Sequence, residues 1–435
     1  MRRKYLQKPI AILLIVILSA ALFGCAAEDR VKAGDSRIAP ETADPGENEG
    51  DYAVSREMTG GTSTTGIEPE PMDAVLADAY NDYAFRFFRE VLSGEDETMM
   101  ISPYSLWFAL GMLANGASDS TLSEIEQLTG MSTEQMNRLA AWFMSRQGED
   151  EVFTIADSVW LSEAFSKEIN PDYLKICGNA YRAAVFCTDF TKPEAVTDLN
   201  RWVSEHTKGM IPKMNDSLDP KTIMMLVNAI AFDAKWAKPF SENSCNDETF
   251  THEDGTEEQR KLMNGDADDV YYENDLCTGF RKSYEGREFS YVAFLPKEGV
   301  TVNELAASLT AESWRELRAN AKDGNVYVKI PEYKEEYGAS LKEILARMGM
   351  REAFTNLAKF GNLSERETHV SEVIQKTFIE VDREGTKAAA VTEIGMRYTD
   401  SVDVRDIYRV YLNRSFVYMI IDNLTGCPIF IGTVR

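Results

Sequence analysis

Apolar residues recur along this chain in more than one rhythm, and each rhythm predicts a kind of element. Tyr80, Tyr83, Ala84, Phe87, Phe88, Val91 and Leu92 recur at helical spacing and predict an amphipathic opening helix. The stretch MMISPYSLWFALGMLANGASDSTLSEI, residues 99–125, predicts a buried helix and then a second one started by a capping box from Thr121 to Glu124. Near the end, RVYLNRSFVYMIIDNLTGCPIFIGTVR reads as strands joined by a turn at Asn423 to Gly426. The most informative stretch is EVDREGTKAAAVTEIGMRYTDSVDV, residues 380–404. Thr386, Ala388, Ala390, Thr392, Ile394, Met396 and Tyr398 share one parity there, and Lys387, Ala389, Val391, Glu393, Gly395, Arg397 and Thr399 share the other. That is the period of a half-buried strand. Yet the run begins with small residues, carries few bulky anchors and leads into the polar TDSVDVRD, the composition of an exposed loop. It predicts a loop able to become a strand, although period and size alone support only an edge strand or a mobile loop.

The 435 residues exceed the usual size of a single core, so length alone points to two or three domains. From about Asp73 onward, however, periodic segments follow one another with short polar connections, which predicts one large domain over 73–435. Residues 1–24 combine a basic start, MRRKY, with the apolar run PIAILLIVILSAALF, short for a membrane span, and predict a secretory signal. Leu22-Phe23-Gly24-Cys25 then resembles a bacterial lipobox, in which the Cys is acylated and becomes the new N-terminus. Phe23 is bulkier than is usual there, and an ordinary signal peptide with an incidental Cys25 is the alternative. Residues 25–72 predict a lipidated Cys followed by a disordered acidic tether, rich in Gly, Pro, Glu, Ser and Thr, with eleven acids against four bases. Such a tether reaches roughly 35–40 Å. The expected location is extracytoplasmic, lipid-anchored to a cell membrane without spanning it, or secreted.

Charge narrows the partners. The formal net charge is -25, and losing the first 24 residues, with four bases and no acid, makes it -29. Phosphate backbones need a basic surface, so nucleic acid is excluded, and anionic head groups would repel the folded part. Nothing points to an enzyme: the three histidines lie in no recognisable motif, and neither G-x-S-x-G nor H-E-x-x-H occurs. Gly61 to Gly66 has phosphate-loop spacing but continues into Ile67 and Glu68. Asp266, Asp268 and Asp269 resemble the start of a calcium loop, but Tyr271 and Cys277 stand where it needs Gly and a carboxylate, so the cluster reads as a solvated loop. No metal and no cofactor is expected. Cys177, Cys187, Cys245, Cys277 and Cys427 read mostly as small buried apolar groups, with Cys177 and Cys187 the nearest candidates for a single disulfide.

Matching segments in order give residues 73–435 a resemblance to the serpins, protease inhibitors that insert a cleaved loop into their own sheet. Ser102, Pro103 and Ser105 in ISPYS match the serines of the region called the shutter, and Asn228 in MMLVNAIAF matches a further shutter residue. Trp236 in DAKWAKPF matches the tryptophan of the breach, where insertion starts. Taken without the resemblance, the serines are a helix N-cap followed by core, Asn228 a satisfied polar group in a strand and Trp236 a core aromatic. DLNRWVSEHTKGMI, residues 198–211, and VYVKIPEYKEEYGASLKEILARMGMREAF, residues 326–354, are similar to middle segments, residues 380–404 to the hinge and reactive-centre loop, and residues 409–435 to the family's C-terminal end. The resemblance implies an α+β serpin fold: a large central mixed β-sheet, further sheets, about eight to nine helices and an exposed reactive-centre loop. Three residues depart from the family pattern: Arg383 and Lys387 stand where acids are usual, and Gln375 where a shutter histidine is frequent.

The function so implied is suicide-substrate inhibition of a serine protease, elastase-, chymotrypsin- or subtilisin-like, by a monomer whose cleaved loop drags the covalent acyl-enzyme away. Arg383, Glu384, Gly385, Thr386, Lys387, Ala388, Ala389, Ala390, Val391 and Thr392 would be the hinge. Small uncharged residues at Thr386, Ala388, Ala390 and Thr392 suit the parity that must pass beneath a packed sheet. Counting seventeen residues from Arg383 places the scissile bond between Thr399 and Asp400, with Tyr398, Arg397 and Arg405 as alternatives. The alternative functions are a non-inhibitory serpin-fold binding or structural protein and, more distantly, a secreted hydrolase.

Overall fold

The chain enters its fold at a short strand, Ser55–Glu57 (β1), and the apolar stripe that follows coils into α1 (Ala74–Leu92). The Asp73 carboxylate caps α1 by accepting the Leu76 N–H at 2.8 Å, and Tyr80, Tyr83, Phe87 and Phe88 are buried along its inner face. A computed structural model describes residues 52–59, 66–93, 97–146, 152–386 and 405–435, all within one unit running from Tyr52 to Arg435.

After β2 (Met99–Ile101) come α2 (Pro103–Gly116), α3 (Asp119–Thr129) and α4 (Thr133–Arg146). β3 (Phe153–Ser162), α5 (Pro171–Ala180), β4 (Ala184–Thr188), α6 (Glu194–His206) and β5 (Met224–Phe232) follow, and β6 (Ala234–Lys235) continues β5 after one residue. The next run is almost all strand: β7 (Cys245–Thr251), β8 (Glu257–Asp266), β9 (Val270–Glu273), β10 (Cys277–Ser283) and β11 (Phe289–Pro296). α7 (Val302–Ser308) and α8 (Ala311–Ala319) precede β12 (Lys322–Asp323), β13 (Asn325–Pro331), β14 (Tyr333–Ser340) and α9 (Lys342–Arg347). The chain closes with β15 (Glu372–Val381), β16 (Gly385–Thr386), β17 (Ile407–Tyr411), β18 (Phe416–Asp422) and β19 (Pro428–Val434).

Three sheets result. The largest runs β1-β4-β3-β5-β15-β16-β6, with β14 on the other side of β15; the second runs β12-β9-β10-β11-β18-β19-β2, and the third β17-β13-β8-β7. With nine α-helices among the described residues, this is the expected α+β fold around a large mixed sheet. Helix α2 is buried on nearly all sides because it packs between β3 and β5 of the first sheet and β19 of the second. Leu199, Trp202 and Val203 of α6 cover the other face of the first sheet, over Trp160, Phe186, Met225 and Val227.

Several expectations change. The tether expected over 25–72 is not unstructured throughout: β1 adds an antiparallel edge to β4, and the Ala53 and Val54 N–H groups both donate to the buried Asp198 carboxylate at 2.9 Å. Its Gly- and Pro-rich composition hid five residues, of which Ser55 to Glu57 gain a ladder from the folded sheet and Ala53 and Val54 a carboxylate partner from α6. Thr121 and Glu124 do not start a helix. Helix α3 begins at Asp119, Thr121 is buried and accepts the Lys359 N–H at 2.9 Å, and Glu124 accepts the Arg351 and Glu352 N–H groups. Cys177 and Cys187 are buried free thiols, one on α5 and one on β4. Asp268 is not a solvated loop residue, since it accepts bonds from the Ser283 hydroxyl and the Arg281 guanidinium. Among the described residues no helix is long and apolar enough to cross a membrane. Residues 1–24, Cys25 and most of the expected reactive loop, 387–404, lie outside the described residues.

Candidate functional site

Strands β5 and β15 lie side by side and run parallel, from Glu372 opposite Met225 to Phe378 opposite Ala231. Two groups of buried side chains lie along this seam.

The lower group lies midway along the seam. Ser102 caps α2: its hydroxyl accepts the Ser105 N–H at 3.1 Å and donates to the Ile429 carbonyl at 2.8 Å. The Ser105 hydroxyl donates to Asp157 Oδ1 at 3.0 Å and accepts from Asn228 Nδ2 at 2.5 Å, and the same amide donates to Asp157 Oδ1 at 2.6 Å. Asn228 Oδ1 in turn accepts from Gln375 Nε2 at 2.6 Å, directly across the seam. Gln375 closes the network by accepting the Ser102 N–H at 3.0 Å and donating to the Ser102 carbonyl at 2.9 Å. Ser102, Ser105, Asp157, Asn228 and Gln375 are all buried. The serines are therefore a helix cap and Asn228 is a satisfied strand amide, but the same bonds tie β3, β5, β15 and α2 together. Gln375 serves where a histidine is frequent because a primary amide offers two donors and an acceptor on one flat group.

The upper group surrounds β16, at the end of β15. Trp236 follows β6, donates its indole N–H to the Asp382 carbonyl at 2.9 Å and its backbone N–H to the Glu384 carbonyl at 2.9 Å. Its ring stacks on Tyr284 with centroids 4.6 Å apart, and the Tyr284 hydroxyl lies 2.7 Å from that of Thr386. Thr386 is fully buried, pairing with Val381 of β15 on one side and Ala234 of β6 on the other. Gly385 is required sterically: a Cβ there would sit 2.2 Å from the Ala234 carbonyl oxygen. Asp382 Oδ1 accepts the Glu384 and Gly385 N–H groups, fixing the turn into β16. Arg383 pairs with Glu384 at 2.8 Å, which gives the altered hinge charge an acidic partner.

Sequence reasoning missed three members. Asp157 lies in the part of β3 that is buried on both faces, sharing its parity with Val159 and Leu161, an acid where burial calls for an apolar residue. Its burial pushes the carboxyl well above the usual range, against the lowering effect of its bonds to Ser105 and Asn228. Lys282 sits likewise among buried β10 positions, below Trp236 and 4.4 Å from the Phe240 ring centre, donating to the Lys238 and Asp266 carbonyls at 2.9 Å. Burial pushes its ammonium down to about 8. Tyr284 gave no sequence signal, since an apolar aromatic in that position has many other uses.

Of the remaining expected residues, Lys387, Ala388, Ala389, Ala390, Val391, Thr392, Arg397, Tyr398, Thr399 and Asp400 lie outside the described residues. Arg405 re-enters the fold before β17, where its guanidinium pairs with Asp269 at 2.6 Å and donates to Asn325 Oδ1 at 3.0 Å.

Residues 78–435 match the family model described as Serpin (serine protease inhibitor). An uncharacterized serpin-like protein of Thermococcus kodakarensis is 27% identical, over 85% of this chain and 88% of its own length. Neuroserpin of Homo sapiens is 28% identical, over 79% of this chain and 87% of its own. Among solved structures, the thermophilic serpin tengpin in its native state superposes with a TM-score of 0.81 at 34% identity, covering 88% of this chain and 99% of that one.

Proposed function

This chain belongs to the serpin family, and from that premise we propose that it is a suicide-substrate inhibitor of serine proteases. The observation that carries the reading is the register of β16. Thr386 already lies between Val381 and Ala234, antiparallel to both neighbours, at the mouth of the parallel β5–β15 seam. Extending both registers one residue at a time sets Ala388 between Ile379 and Phe232, Thr392 between Gln375 and Asn228, and Gly395 between Glu372 and Met225. The two extensions agree because Gln375 already pairs with Asn228 and Glu372 with Met225. A strand growing from β16 can therefore zip into the seam without slipping either side.

The same register accounts for residue choice. Ala388, Ala390 and Thr392 would point inward with the buried Thr386, against Phe232, Ile230 and the shutter amides, where a bulky or charged group has no room. Lys387 would point outward between Glu380 and Asp233, so its departure from the usual acid meets two carboxylates. The hinge charges that favour a non-inhibitory binding protein thus fit insertion.

In the proposed cycle the target protease attacks the loop and forms an acyl-enzyme, and the freed hinge side then inserts, breaking the Gln375–Asn228 bond and carrying the protease along. The seam ends at Glu372 and Met225, so residues up to about 396 would be inside it. A bond after Thr399, or after Tyr398 or Arg397, leaves the protease just beyond the strand end, and among these the seventeen-residue spacing from Arg383 favours Thr399–Asp400. The fixed guanidinium of Arg405 disfavours that alternative. Location is proposed as the outer face of a membrane through an acylated Cys25, with a spacer shortened to residues 25–51 because the fold begins near Tyr52.

The test mixes the soluble protein, lacking the residues up to Cys25, with elastase-, chymotrypsin- and subtilisin-like proteases. A complex that survives denaturing gels, with a released peptide beginning at Asp400, is expected. Clean cleavage of the loop with every protease still active would instead favour a serpin fold used for binding.

A further inference from the structure

Asp157 stands apart from the rest of the lower network. It is the one ionisable side chain among the five, it is 3% exposed, and its two oxygens are treated unequally. Oδ1 accepts from both Ser105 and Asn228, whereas Oδ2 is buried with no hydrogen-bond partner among the described residues. A carboxylate would leave its negative charge without a donor on one oxygen and without a cation on either, an arrangement proteins avoid unless the group stays neutral. A carboxylic acid is the less costly form: a carbonyl Oδ1 takes the two bonds, and a proton on Oδ2 leaves a neutral hydroxyl rather than a charge unpaired.

The surroundings agree. Ser105 of α2 and Asn228 of β5 touch the carboxyl, and the phenols of Tyr104 on α2 and Tyr83 on α1 face it from further away. On its other side β4 begins pairing one residue later, at Ser158 opposite Ala184. Among the described residues no lysine, arginine, histidine or second carboxylate acts on it, and burial alone raises its affinity for the proton.

We propose that Asp157 is a proton-sensitive positioning residue for sheet opening: uncharged, it orients Ser105 and Asn228 so that Asn228 Oδ1 meets Gln375, and losing its proton loosens the β5–β15 seam. A charge formed there is relieved only by admitting water between β3, β5 and α2, and those are the elements whose contacts hold Asn228 against Gln375. Sheet opening therefore becomes easier as pH rises. The reading rests on the proposed inhibitory function only for why the seam must open.

The test compares the uncleaved wild type with Asp157→Asn, which keeps the shape and the Oδ1 acceptor but cannot ionise. Urea unfolding and hydrogen exchange of the β5 and β15 amides, corrected for intrinsic rates, are followed from about pH 5 to 9. Where the native state alone holds the Asp157 proton, the wild-type unfolding constant rises by up to about tenfold per pH unit relative to the variant. The seam amides open in parallel. Superimposable pH profiles overturn the proposal. If the variant does not fold, infrared spectra of the wild type decide: a slowly exchanging neutral carboxyl band surviving at pH 7 supports it, and its absence overturns it. No protease enters these measurements, so a failure of inhibition and a failure of the Asp157 assignment are told apart.

Discussion

Replacing Gln375 by leucine tests whether the lower network holds the sheet closed. The two side chains are similar in volume, so the substitution makes little cavity and the effect is electrostatic. Gln375 is 1% exposed, and its loss strands two buried groups: the Ser102 N–H loses its acceptor at 3.0 Å and Asn228 Oδ1 its donor at 2.6 Å, while the Ser102 carbonyl keeps the Leu106 N–H at 3.3 Å. Each unsatisfied buried group costs about 1–3 kcal/mol, so the closed state should lose about 2–6 kcal/mol. A domain of roughly 360 residues unfolds with about 0.75 kcal/mol/K of entropy, which converts the loss into a thermal midpoint lower by about 3–8 °C. Differential scanning calorimetry of the uncleaved protein reads this directly. Gln375→His should recover part of the loss, because an imidazole supplies one donor and one acceptor in the same plane. A leucine variant melting within about 2 °C of the wild type would refute the idea that these bonds hold the seam.

Two further outcomes follow from groups that the sequence did not reveal. Starting the chain after Thr59 removes β1 and strips both backbone donors from the buried Asp198 carboxylate, so calorimetry should show a midpoint lower by about 3–5 °C. Asp198→Asn should then cost less in the truncated chain than in the complete one, and equal costs in the two would show that β1 and Asp198 do not interact. Lys282 holds its proton less tightly when folded, at about 8 against 10.5, so the unfolded chain binds more protons between those values and stability rises with pH across that window. Denaturant titrations should show a rise of roughly 3 kcal/mol at most, absent in Lys282→Met. A profile that is the same in both proteins would mean that Lys282 does not titrate in this range.

Much of the fold was legible because periodicity and burial are local signals. The stripe from Tyr80 to Leu92 could bury its aromatics only as a helix, and it does so as α1. The run from Met224 to Phe232 became β5, and the turn at Asn423 to Gly426 formed with Gly426 at φ 74°, where a side chain would strain the backbone. Ser102, Ser105, Asn228, Trp236 and Gln375 were identified singly, through a family pattern that says which residues matter and not what they touch. A capping box read from Thr121 and Glu124 was wrong because both side chains satisfy backbone groups of the 351–359 segment, more than two hundred residues away.

By itself the sequence determined the helical stripe of α1, the turn at Asn423 to Gly426 and the run of small residues on one parity after Gly385. Only the tertiary structure decided that β5 and β15 close on each other as a parallel pair, that β16 lies at their end in a register both can extend, that Asp157 and Lys282 are buried beside the two groups along the seam, and that segment 52–59 joins the sheet. The physical reason is range. A side chain's preference for helix, strand or turn depends on neighbours a few residues away, whereas the proton on Asp157, the partner of Arg383 and the pairing of β1 depend on groups that meet only when distant segments fold together.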